Sequence, residues 1–143
     1  MIRLLALMVF LFAAPAMADC HILAAYLNPV ETDVRYYNFA EHGVPSATEG
    51  NENRWTAPLD MNAHSLRVVV DVAPSAGTWT IHVRDDTNDT GITCTITGGA
   101  TTCEDLSNTA TIAKGSRVTI GATGSSSPTA AAEMWMSFCV EEL

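Results

Sequence analysis

Cys94 to Cys103 reads Cys-Thr-Ile-Thr-Gly-Gly-Ala-Thr-Thr-Cys. Two-residue turns that close β-hairpins need positive φ, which glycine reaches without steric cost, so Gly98-Gly99 predicts such a turn. Counting outward, Thr97 faces Ala100, Ile96 faces Thr101, Thr95 faces Thr102, and Cys94 falls opposite Cys103. That register makes Cys94 and Cys103 a non-hydrogen-bonded pair, where side chains approach most closely and a disulfide fits. The stretch therefore predicts a strand, a turn, a return strand and an oxidising compartment.

Four cysteines are present, Cys20, Cys94, Cys103 and Cys139. An even count in an exported chain reads as two disulfides with three possible connectivities, and the hairpin register selects Cys94–Cys103. Cys20–Cys139 remains, and it ties the two ends of the domain together. Closing so long a loop contributes about 4–5 kcal/mol in the chain-entropy account. Zinc is the rival reading of four cysteines, but no Cys-x-x-Cys spacing supports it, and no cofactor motif occurs elsewhere.

The cysteines imply export, and residues 1–18 supply the means. Met1-Ile2-Arg3 is a short basic start, Leu4 to Ala13 is apolar but too short to span a bilayer, and Ala16-Met17-Ala18 fits a cleavage site. The expected mature chain, residues 19–143, is the full 143 less the first 18, or 125 residues, which suits one domain. Without Arg3 the formal charge goes from −9 to −10, and Lys114 is the only lysine. No basic footprint exists for nucleic acid or for an anionic membrane surface, and no membrane insertion of the mature chain is expected.

Short apolar or alternating runs follow one another at intervals near ten residues. They are Cys20–Leu27, Val34–Phe39, Arg54–Pro58, Ser65–Val72, Thr78–Arg84, the Gly91–Cys103 hairpin, Thr109–Ala113, Arg117–Ala122 and Ala130–Val140. Leu66, Val68, Val70 and Val72 form one face of the strongest strand, against Arg67, Val69 and Asp71. Trp79, Ile81 and Val83 share a face in the next strand, as core residues do. Asp85 to Gly91 reads as a polar hairpin loop, and Ala40 to Asn53 is the longest irregular stretch. No amphipathic helix of three turns appears after residue 18. The fold expected is all-β: an antiparallel sandwich of jelly-roll type with 8–9 short strands, whose first and last strands lie side by side under the Cys20–Cys139 bond.

From Val34 to Glu141 the order of features resembles short β-domains of bacteria and phage virions that look like the tumour-necrosis-factor/complement-head jelly roll. The resemblance rests on Arg35-Tyr36-Tyr37, Ser65-Leu66-Arg67-Val68, Ala76-Gly77 before Trp79 to Arg84, and Asp89-Thr90 before Ile92 to Ile96. Ala100 to Cys103, Asn108-Thr109, Ala113-Lys114-Gly115 and the Trp135 strand complete it. Two positions depart from the group's pattern: Asp86-Thr87 stands where Asn-Gly is usual, and Ser116 where an acidic residue is usual. The resemblance implies trimers that serve as tips, caps or decoration on larger assemblies.

Candidate sites are few. Asp85, Asp86, Asn88 and Asp89 place several oxygens at short spacing and form the one candidate for calcium, set against a solvated turn. Trp55 beside Asn51, Glu52 and Asn53 has the make-up of a sugar-stacking site, an aromatic with amide and carboxylate partners. The final strand is apolar on both faces at its centre, with Met134, Met136 and Phe138 on one side and Trp135 on the other, which suggests an oligomer interface. His21, His42, His64 and His82 show no two-ligand spacing, and Gly-x-Ser-x-Gly is absent, although a serine triad assembles in space rather than in sequence. The reading is a secreted, non-enzymatic structural or adhesive module that self-associates as a trimer. A lectin-like glycan- or surface-binding module is the alternative, with a small secreted hydrolase third.

Overall fold

The structure is a computed structural model that describes residues 20–27, 35–37, 47, 49, 54–125 and 133–143. The expected signal segment and residues 51–53 lie outside this set. Nine strands are described: β1 (His21–Leu27), β2 (Arg35–Tyr37), β3 (Trp55–Thr56), β4 (Met61–Val70), β5 (Thr78–Asp85), β6 (Asn88–Thr97), β7 (Thr102–Ile112), β8 (Arg117–Ser125) and β9 (Met134–Glu142). They form two sheets, a four-stranded one in the order β1-β9-β4-β7 and a five-stranded one in the order β2-β8-β5-β6, with β3 also on β8. Every pairing is antiparallel. The fold is thus an all-β, two-sheet antiparallel sandwich with two disulfides.

Period-2 alternation turns one side of each strand inward. Trp79, Ile81 and Val83 of β5 and Ile92, Cys94 and Ile96 of β6 meet Leu66, Val68 and Val70 of β4 and Met134, Met136 and Phe138 of β9 in a single core. In β4 the alternation breaks at a bulge. Ala63 and Leu66 are both buried, three residues apart, because Ser65 sits in a bulge with φ 58°. Opposite it, β7 inserts Leu106, Ser107 and Asn108 between the residues that pair with Leu66 and His64. The parity change explains why alternation shows β4 only from Ser65 and β7 only from Thr109, whereas both strands extend further toward the N-terminus.

The expected Gly91–Cys103 hairpin does not form. β6 pairs with β5 and β7 pairs with β4, so Cys94 lies opposite Ile81 and Cys103 opposite Val68, in different sheets. The turn itself is present, with Ala100 N–H donating to Thr97 O at 3.0 Å, but only Gly99 of the two glycines takes positive φ, at 83°. Turns of that kind splay their flanking strands, whereas hairpin turns keep them together. The chain therefore crosses between layers here. Val70 N–H and Gly99 N–H hold the crossing by donating to Thr101 O and Pro74 O.

The Cys94–Cys103 bond is present, but it staples two sheets rather than two strands of one sheet. Packed sheets lie about 10 Å apart. The two Cα atoms are 5.7 Å apart, so the sandwich is pinched shut along its β6/β7 side. The other bond, Cys20–Cys139, fixes the start of β1 to β9, and the first strand pairs with the last along the whole length of β1.

A two-residue hairpin turn does exist at Asp86-Thr87, between Asp85 and Asn88. The expected seven-residue loop is thus much shorter, since β6 begins at Asn88. Asp86 adopts φ 55°, which Asp tolerates better than most residues. Its N–H donates to Arg117 O and its Oδ1 accepts from Arg117 N–H, at 2.8 and 3.1 Å.

Candidate functional site

The outer face of the four-stranded sheet carries part of the exposed apolar surface. Val69 of β4 and Trp135 of β9 are cross-strand partners, 44 and 41% exposed. Val69 also pairs with Thr102 of β7. Beside them a shallow groove of about 410 Å3 is lined by Arg67, Val68, Val69, Thr102, Cys103 and Glu104. Arg67 Nη1 and Glu104 Oε2, 3.2 Å apart, form an exposed ion pair along it. Ile22 of β1, opposite Cys139, extends the apolar surface toward the sheet edge.

Trp135 alone of the four expected interface residues faces solvent. Met134, Met136 and Phe138 are buried in the chain's own core. The run is apolar on both sides because one side packs on the opposing sheet and the other is the outer face of the sandwich. Two apolar faces thus identified one exposed residue and three core residues.

Of the expected sugar-stacking group only Trp55 is described: it is partly buried against the core, opposite Val118, while Asn51, Glu52 and Asn53 lie outside the described residues. The carboxylates of the acidic turn, Asp85, Asp86 and Asp89, do not converge on one point. Asp86 is turned onto β8, and Asp89 pairs with Arg84 Nη1.

Arg84 belongs to a network that sequence spacing did not reveal. It lies over the Tyr36 ring, 5.3 Å from its centroid, pairs with Glu49 at 3.2 Å, and donates to Thr87 O. Arg54 reaches the same Glu49, 3.7 Å from its carboxylate. Gly121 is the floor: a Cβ there would meet Arg84 Cδ at 3.0 Å. Thr119, the direct cross-strand partner of Arg84, is fully buried on this side although β8 alternates Val118, Ile120 and Ala122 into the core. Burial and the Arg84 charge lower the pKa of neighbouring His82.

At the bulge, the outer face gathers a second polar cluster. His64 pairs with Cys139 across β4 and β9, and Glu141 follows on the same face of β9. His64 Nε2 lies 3.2 Å from Glu141 Oε1, and Ser65 Oγ lies 2.7 Å from His64 Nδ1. With the Nε2–H tautomer facing Glu141, the Ser65 hydroxyl donates to Nδ1. The order of the three residues in sequence hides this, because the bulge turns both His64 and Ser65 away from the core.

No protein-family model matches this chain, and no curated protein is significantly similar to it. Among the described residues no helix is long and apolar enough to cross a membrane.

Proposed function

We propose that this chain is a secreted, non-enzymatic structural or adhesive module that self-associates, as a trimer, through the outer face of its four-stranded sheet. The exposed Val69–Trp135 pair carries this reading: a large aromatic on an exposed sheet face, flanked by an ion pair, is the make-up of an interface centre with a polar rim. The strand orders, with first and last strands adjacent, support the jelly-roll topology that the resemblance implies. Arg3, the Leu4–Ala13 run, the Ala16-Met17-Ala18 site and the two disulfides support export. Light scattering on the oxidised chain from Asp19 tests it. The expected mass is that of a trimer, reduced to a monomer by Trp135→Arg. A monomer at every concentration overturns self-association and leaves the same face, with its groove, as a ligand platform.

One relationship favours a second reading, a small hydrolase. Ser65 is held in a left-handed conformation against a histidine whose other nitrogen faces a carboxylate. Turnover of a p-nitrophenyl ester that is lost in Ser65→Ala selects this reading, and turnover equal to buffer removes it.

A further inference from the structure

We propose that reduction of the Cys20–Cys139 bond converts this end of the sheet into a Zn2+ site formed by the Cys20 and Cys139 thiolates, the His64 imidazole and the Glu141 carboxylate. One nitrogen of His64, the Cys139 sulfur and one oxygen of Glu141 lie within 4.8 Å of one another. In a tetrahedral zinc site, with metal–ligand bonds of about 2.0–2.3 Å, ligand atoms sit roughly 3.3–3.8 Å apart. His64 Nε2 and Glu141 Oε1 are already at 3.2 Å, and an inward movement of the Cys139 sulfur brings the third ligand to that spacing. The Cys20 sulfur, bonded to Cys139 but outside this 4.8 Å group, joins it once the bond opens.

The placement follows from sheet register. His64 and Cys139 are directly paired, and Glu141 is the next residue of β9 on that face. Both strands are anchored by core residues, Ala63 on β4 and Phe138 and Val140 on β9, so the ligands project from a fixed frame. When Nε2 binds the metal, Nδ1–H donates to Ser65 Oγ, the outer partner that orients a metal-bound histidine.

In the oxidised chain both sulfurs are neutral and bonded to each other, and only His64 and Glu141 offer good donors. A dithiol reductant supplies two electrons. The Cys20–Cys139 bond breaks, each sulfur takes a proton, and the dithiol becomes its cyclic disulfide. Zn2+ then displaces both thiol protons to solvent. The site holds β1 to β9 where the disulfide did, so the tie between the ends of the domain survives a change of redox surroundings. None of this depends on self-association.

The test uses Co2+ as the spectroscopic probe. The purified chain is reduced on an immobilised dithiol, moved to anaerobic buffer and titrated. Expected are thiolate-to-cobalt charge-transfer absorption and tetrahedral d–d bands saturating at a single equivalent, then lost on adding Zn2+. The oxidised chain shows neither. Cys94→Ser/Cys103→Ser keeps the bands, Cys20→Ser/Cys139→Ser loses them, and His64→Ala weakens Co2+ binding at least about 10-fold, as loss of a metal contact does. Reduced chain without bands, bands that survive Cys20→Ser/Cys139→Ser, or bands unaffected by His64→Ala with Glu141→Gln overturns the site. If reduction unfolds the chain, Zn2+ must restore its far-ultraviolet circular dichroism, and failure to do so also overturns it.

Discussion

The Thr93 N–H donates to the Asp105 carboxylate at 3.0 Å, and this one side chain joins the free edges of two different sheets. Asp105 is buried, and it also accepts from the N–H groups of Ser107 and Asn108 and from Asn108 Nδ2. It thus closes the three-residue insertion in β7 and satisfies an edge donor on β6, one position from the Cys94–Cys103 staple. Unpaired edge donors invite association with other chains, and here the edge is covered from within.

Asp105→Ala is expected to expose that edge locally. Hydrogen exchange of the Thr93 amide should accelerate strongly while the Ile81 and Ile120 amides of the central strands stay protected. The loss of stability should be about 2–3 kcal/mol, because several buried donors lose their acceptor together. Uniform acceleration across all strands at equal stability would show that the carboxylate does not serve the edge.

Acid should act through the same group. Burial would raise the Asp105 pKa, but the hydrogen bonds from Asn108, Thr93 and Ser107 outweigh it and hold the value at about 2. A carboxylate depressed in the folded state contributes stability above its unfolded pKa. That contribution, about 2 kcal/mol, is expected to disappear as pH falls from about 4 through 2. His82, also depressed, adds an earlier loss as pH falls below the ordinary histidine range. Urea midpoints across pH 2–8 check both: Asp105→Asn should flatten the lower step and His82→Gln the upper one.

Adjacent residues of β9 should behave differently. Met136→Ala removes a fully packed side chain and is expected to cost about 2–5 kcal/mol. Trp135→Ala, 41% exposed on the solvent side, should cost about 1–2 kcal/mol in a monomeric background, less than Met136→Ala. Urea unfolding of both variants at low protein concentration distinguishes them, and equal losses would mean that the Trp135 ring is packed as fully as a core residue.

Gly121 is expected to resist even alanine. Its added Cβ would press on the Arg84 stem, moving the guanidinium from the Tyr36 ring and from Glu49. Gly121→Ala should cost about 1–2 kcal/mol. The same change in an Arg84→Ala background should cost markedly less. Additive effects would place the strain elsewhere.

Alternation of Trp79, Ile81 and Val83, the even cysteine count and the spacing of turn signals sufficed to determine an all-β sandwich with two disulfides, because side-chain period and covalent pairing are local properties. Even the Cys94–Cys103 pair was legible, although for the wrong reason. Which sheet each cysteine joins depends on the conformation of Gly98-Gly99, and the sequence Gly-Gly permits turns that close a hairpin and turns that splay one. The bulge at Ser65 escaped notice because it shifts parity, and parity is what alternation measures. Asp105, Arg84 and the His64–Glu141 pair drew no signal, since their partners come from distant strands. Only the tertiary structure decided that Trp135 faces solvent while Met134, Met136 and Phe138 do not: an apolar side chain has the same composition on either face, and the opposing sheet alone determines which face is dry.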